Sequence, residues 1–324
     1  MLNDLRLAAG AIARKDFVPS LTHFRIADGR IYGFNGLLAI STPTDLQVSC
    51  VPKAASLIKA MEKVEEGTEL VLNLTQTGKL SIKAGRFRVY VECIEESDAV
   101  PMVEPAGTIV PLPGGLVSIF DKLQPFVSID ASRPWSRGIL LRGQSAFATN
   151  NIVLIEHWLP YVFPHDVNVP AEAVREMIRI GNEPTHMQIE ERAVTFHYAS
   201  GAWLRTSVGA IEWPDLSRVL ERPCDAKPIP EGLFDGMRRL DVFADKTNRL
   251  YLRGGTLATH AVEGEGACVD LDDFGGVGCY YLKQFANLDG VATSIDLSLY
   301  PGPCIFYGDM VRGAIIGMRM ADSV

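Results

Sequence analysis

The sequence predicts an α+β protein of three tandem domains, each with two helices packed on antiparallel β-sheets. Three observations carry this. The same order of elements (helix, hairpin, helix, strands) occurs three times at a spacing of roughly 110–118 residues, which is domain-sized and too long for a short-repeat solenoid. The joints are proline-rich, with four prolines in 101–113 and three in 223–230, as suits extended connectors. A chain of 324 residues with 47% hydrophobic and 22% charged residues can bury several cores. The expected domains are 1–104, 109–218 and 222–324.

Each repeat opens on a candidate helix, at 2–15, 114–128 and 231–245. Hairpin patterns follow at 24–41, 138–158 and 249–265, where apolar and polar residues alternate around Gly or Asn turns. A second amphipathic helix is expected at 51–63, 169–181 and, more weakly, 279–290. Alternating strands then close each repeat, ending in the first on GRFRVYV at 85–91, where Phe87 and Val89 share a face.

Composition narrows the function. No apolar run is long enough for a membrane span, and the N-terminal segment, with Asp4 early, does not read as a signal peptide. The six cysteines form no CxxC pair, which argues against a zinc site or disulfide framework and fits a reducing cytoplasm. A formal net charge of −8 would argue against a nucleic-acid binder if it were spread evenly. It is not. The six candidate helices carry Arg6, Arg14 and Lys15; Lys53, Lys59 and Lys63; Lys122; Arg175 and Arg179; Arg238 and Arg239; and Lys283. Acidic residues crowd loops and edges instead: Glu95, Glu96 and Asp98, then Asp270, Asp272 and Asp273. Recurring basic helices in an acidic protein suit a lining that attracts phosphates without reading bases.

No catalytic set emerges. None of the six histidines sits in an HExxH or HxxxH arrangement. GGVG at 275–278 lacks dinucleotide-loop spacing and reads as a turn. TGKLS at 77–81 has Asn73 where a phosphate loop needs glycine, and Leu80 where it needs Ser or Thr. The carboxylates at 269–274 lack the glycine and closing glutamate of a calcium loop. The residues predict no catalytic residue, no metal and no cofactor. An enzyme of unknown chemistry on a three-unit scaffold, and a scaffolding protein without a DNA role, stand as the alternatives.

Four segments resemble the bacterial DNA sliding clamp, the beta subunit of DNA polymerase III. WPDLSRVLE at 213–221 is similar to that family's aromatic-Pro-Asp-x-x-Arg-Val-Leu-Pro stretch, and FATNNIVLI at 147–155 to its Ala-Thr-Asp-Gly-His-Arg-Leu turn. RLYL at 249–252 matches a family strand, and IIGMRM at 315–320 resembles its closing Met-Pro-Met-Arg-Leu. Asn150, Asn151, Ile152, Val153 and Gly317 depart from the pattern, as in a divergent member of the kind a phage carries. The resemblance implies three clamp-type domains per chain. It also implies a head-to-tail homodimer ring with the helices around the hole, a processivity role in DNA replication and no catalysis. Lys15, Lys53, Lys59, Arg175, Arg179, Arg238 and Lys283 would then face duplex DNA, seconded by Arg6, Arg14, Lys63, Lys122 and Arg239. A groove of Thr149, Asn151, Ile152, Val153, Leu154, Pro223, Ala314, Ile316, Met318, Arg319 and Met320 would take short peptide motifs of DNA polymerase and clamp loader. Phe87 and Val89 would meet Leu240 and Phe243 across the dimer. The expected location is cytoplasmic, with no membrane partner.

Overall fold

The computed structural model describes residues 1–65, 67–209, 212–272 and 275–320. Asp273 of the acidic run lies outside them. The first repeat runs α1 (Leu2–Ala8), β1 (Arg25–Ala27), β2 (Arg30–Phe34), β3 (Leu38–Pro43), β4 (Val51–Pro52), α2 (Ala54–Met61), β5 (Leu70–Leu74), β6 (Leu80–Ala84), β7 (Phe87–Val91) and β8 (Cys93–Ile94). The second runs β9 (Thr108–Pro111), α3 (Leu116–Leu123), β10 (Gly138–Arg142), β11 (Ser145–Thr149), β12 (Val153–Trp158), β13 (Val167–Pro170), α4 (Ala171–Ile180), β14 (Pro184–Ile189), β15 (Ala193–Tyr198) and β16 (Trp203–Ser207). The third runs α5 (Ser217–Leu220), β17 (Lys227–Pro228), α6 (Leu233–Asp241), β18 (Arg249–Gly254), β19 (Thr256–Ala258), β20 (Cys268–Asp270), β21 (Gly276–Tyr281), α7 (Leu282–Ala286), β22 (Ser294–Ile295), β23 (Pro303–Gly308) and β24 (Val311–Ile316). No helix of the described residues is long and apolar enough to cross a membrane.

The helices are shorter than their sequence patterns. In each repeat the residues before the second helix are drawn into strands: β4 pairs with β8, β13 with β10, and β21 with β18. Gly276–Gly278 is therefore strand and not the expected turn, and α7 keeps only five residues. What remains helical follows the apolar stripe. Ala54, Leu57, Ala60 and Met61 bury one face of α2, and Leu233, Gly236, Met237 and Leu240 one face of α6. α1 passes into a 3-10 turn at Ala9–Ala11 and ends, leaving Arg14 and Lys15 in the following bends. Gly10 sits against α4, where a Cβ would fall 1.6 Å from a carboxylate oxygen of Glu176.

Contacts divide the chain into two compact units, Met1–Ser118 with Glu172–Ala210, and Ile119–Ala171 with Ile211–Val324. Each is built on one antiparallel sheet that crosses a joint between repeats. In the first unit the order is β1-β2-β3-β16-β15-β14-β9, and in the second β13-β10-β11-β12-β24-β23-β22-β17. The join is the same in both: the third strand after a repeat's first long helix (α1 or α3) pairs with the last strand of the next repeat, β3 with β16 and β12 with β24. The proline-rich connectors supply the edge strands β9 and β17, where a missing N–H costs no ladder bond. A second sheet in each unit stays open: β5-β6-β7 ends on β7 in the first, and β20-β19-β18-β21 ends on β20 in the second. The first repeat's core gathers Leu5, Phe24, Ile26, Ile31, Leu57, Leu80, Ile82 and Val91, with Val89 packed against it.

Candidate functional site

In the second unit a cleft opens where α5 and the residues just before it lie over the long sheet. The register sets Leu140 beside Phe147, Phe147 beside Glu156 and Glu156 beside Arg312; one step along, Thr149 lies beside Leu154 and Leu154 beside Ala314. Alternate residues share a face, so Leu140, Arg142, Phe147, Leu154, Arg312, Ala314 and Ile316 all project to the side on which α5 lies. Asp215 starts α5, its Oδ1 accepting from the backbone N–H (3.0 Å) and hydroxyl (2.6 Å) of Ser217. The Ser217 hydroxyl, followed by its N–H, holds the Asp215 carboxyl below the usual carboxylate range. Trp213 packs edge-on against Trp135 at 5.2 Å and Leu220 is buried, which fixes the connector at both ends of this turn.

The cleft holds about 160 Å³ and is lined by Leu140, Arg142, Phe147, Asp215, Leu216, Ser217, Leu220 and Arg312. Its floor is apolar, and its polar groups are Arg142, Arg312, Asp215 and Ser217. Arg312 donates to Glu156 at 2.5 Å and lies 5.9 Å over the Trp158 ring, while Arg142 donates to Asp166 at 2.7 Å. Glu156 is buried and also accepts from the Ser145 hydroxyl at 2.6 Å. An apolar floor with few fixed polar groups suits anchored side chains of a peptide.

The expected groove residues fall into four groups. Leu154, Ala314 and Ile316 share the cleft face, with Ile316 44% exposed. Thr149 is buried and spends its hydroxyl on the Val153 carbonyl (2.8 Å), so it is not free for a ligand as expected. Asn151 takes φ 70°, a conformation asparagine tolerates, and Asn150 Oδ1 accepts from the backbone N–H groups of Ile152 and Val153; the departing Asn-Asn pair is thus a closed turn. Met318 does not line the cleft: it packs against Tyr251, Ala258 and Cys279. Pro223, Arg319 and Met320 are exposed. Sequence reading missed Leu140, Arg142, Phe147 and Arg312, although the two-residue period counted back from Thr149 reaches Phe147.

Gly317 stands where the resembled family has proline, and the space a side chain would need is taken. A Cβ there would lie 2.4 Å from the Tyr300 ring, and the Tyr300 hydroxyl donates to the Met318 carbonyl at 2.6 Å. The Met318 N–H in turn donates to the Cys279 carbonyl at 2.7 Å.

The candidate DNA-facing cations also divide. Arg6 pairs with Glu62 at 2.9 Å, Arg175 with Glu172 at 3.4 Å, and Arg238 with both Asp235 and Asp289. Arg179 is structural: it pairs with the buried Glu176 and donates to the Leu7 carbonyl at 3.1 Å, tying α4 to α1. Arg14, Lys15, Lys53, Lys59, Lys63, Arg239 and Lys283 are exposed and make no ion pair among the described residues; Lys122 is half-buried. At the expected dimer contacts, Phe87 is half-buried and Phe243 is 64% exposed, but Leu240 belongs to the core of the second unit at 1% exposure.

No protein-family model and no curated protein matches the sequence. Solved structures do match along nearly its whole length. The DNA polymerase III subunit beta sliding clamp of Pseudomonas aeruginosa, bound to griselimycin, superposes with a TM-score of 0.83 at 18% identity, covering 99% of this chain and 97% of that one. A second P. aeruginosa sliding clamp structure, with ligand, gives 0.84 at 19% identity over 98% and 97% of the two chains. The Caulobacter crescentus DNA polymerase sliding clamp gives 0.83 at 18% identity over the same shares. The chain has the sliding-clamp fold.

Proposed function

We propose that this chain is a DNA sliding clamp, a processivity factor without chemistry of its own. It closes as a head-to-tail homodimer around duplex DNA and tethers a DNA polymerase, and receives its loader, through short peptides held in the second unit's cleft. The reading divides the chain into domains 1–104, 109–218 and 222–324 and places it in the cytoplasm.

The observation that carries the proposal is the pair of unfinished sheets. Twice within the chain the third strand after a helix, β3 after α1 and β12 after α3, pairs with the next repeat's last strand. The third strand after α6, β20, and β7, the last strand of the β5-β6-β7 sheet, remain at open sheet ends. Pairing β7 of one chain with β20 of another repeats the join already made twice, and two such joins close a ring and pair both open strands. Charge favours it: Lys83, Arg86 and Arg88 on and beside β6 and β7 are exposed, as are Glu263, Glu265 and Asp270 on and before β20. Phe87 and Phe243 contribute apolar area at this contact. The free lysines on α2 and α7 offer phosphate contacts without base readout.

The test is topological. Loaded onto nicked circular DNA, the protein should stay bound through a high-salt wash and be released when the circle is linearised. Equal loss from circle and line would refute encirclement.

A further inference from the structure

Two of the six cysteines face each other. β4 and β8 pair antiparallel, with Pro52 the register partner of Cys93. Cys50 lies just before β4, and its backbone exchanges both hydrogen bonds with Ile26 at 2.9 Å. Cys50 and Pro52 are alternate residues and share a face, which makes Cys50 the diagonal neighbour of Cys93 on that face. Both sit in one hydrophobic cluster, Cys50 buried within it and Cys93 packed against it but partly open to solvent.

We propose that Cys50 and Cys93 form a reversible disulfide by exchange with a low-molecular-weight disulfide such as oxidised glutathione. Cys93 is the entry point. Its thiolate attacks one sulfur of the small disulfide, forming a mixed disulfide and expelling one small thiolate. Cys50 then attacks the Cys93 sulfur, giving up its proton to solvent, and the second small thiolate departs and is protonated. Two protein thiols are oxidised, and one small disulfide is reduced to two thiols. The roles follow from environment. The hydrogen bond from Cys50 brings the Cys93 thiol down to about 7, while the contact with Cys93 and then burial push Cys50 up. The more exposed sulfur is thus the better nucleophile, and the buried one resolves.

The cross-link would clasp β4 to β8 and enclose α2 and the whole β5-β6-β7 sheet in one covalent loop, restricting the unfolded chain. The chemistry is independent of whether the chain closes into a ring.

The test incubates the full-length protein with oxidised glutathione and maps cysteines by peptide mass spectrometry. The expected product is a Cys50–Cys93 cross-link carrying no adduct, reversed by dithiothreitol, with a raised melting temperature. The exposed Cys268 serves as an internal control for simple adduct formation. Cys50→Ser should trap a glutathione adduct on Cys93, whereas Cys93→Ser should leave Cys50 unmodified. A stable adduct on wild-type Cys93 without the cross-link, or free thiols at both positions when Cys268 has reacted, would overturn the proposal.

Discussion

Gly317 shows how one missing side chain positions the C-terminal strand. The Tyr300 ring occupies the space a Cβ would need, and its hydroxyl bond to the Met318 carbonyl prevents it from swinging away. Gly317→Ala should therefore cost about 1–3 kcal/mol, the usual range for overpacking, read as a lower urea midpoint with unchanged slope. A second residue-scale effect is titration. Burial lowers the pKa of His157 against the pull of the Trp158 carbonyl; Lys122 lowers it further and Asp309 raises it. Burial, then His186 and Arg30, lower His197. An imidazole with a depressed folded pKa is protonated first in the unfolded chain, so stability is full above about pH 6.5 and falls as pH drops through that value. His157→Gln should flatten part of this loss in urea midpoints taken from pH 8 to pH 5, leaving the His197 share.

At the scale of elements, α4 separates two arginines that sequence spacing made equivalent. Arg175 pairs with its own helix neighbour Glu172 and is exposed, whereas Arg179 joins buried Glu176 and the end of α1. Arg175→Glu should leave the thermal melt nearly unchanged and weaken salt-dependent DNA binding a few-fold, consistent with one phosphate contact. Arg179→Glu should lower the melting temperature by several degrees, because it sets a second carboxylate against a buried one. A double substitution would confuse the two effects. The cleft makes a parallel prediction: Leu216→Glu places a charge on a half-exposed lining residue, and should abolish polymerase stimulation while leaving native mass and DNA retention intact.

For the whole molecule, the proposed ring rests on the two open strands. Charging Val89 is a poor probe, since Val89 packs against the first repeat's core and its loss would unfold the sheet. Edge charges are better. Arg88→Glu should lower the native mass from dimer toward monomer without changing the circular dichroism spectrum, and adding Asp270→Arg in the same chain should restore the dimer. A wild-type chain that sediments as a monomer at micromolar concentration would remove the support for closure by two chains.

The sequence by itself determined the fold class, the threefold order of elements and the extended, proline-bearing connectors, because apolar period and proline geometry are local properties. It also marked the segment carrying α5 and the strand ending at Ile316, both beside the cleft. Pairing lay beyond it. Nothing local says that β12 joins β24, that the residues ahead of each second helix are taken into strands, or that Met318 turns from the cleft toward Tyr251. Long-range charge pairing lay beyond it too: Arg6 meets Glu62 and Arg238 meets Asp289, whereas Arg175–Glu172, Arg179–Glu176 and Arg238–Asp235 are three-residue helix spacings that the sequence already carried. Strand registry and the ion pairs between helices join residues distant in the chain, and their energy exists only once tertiary structure has brought them together.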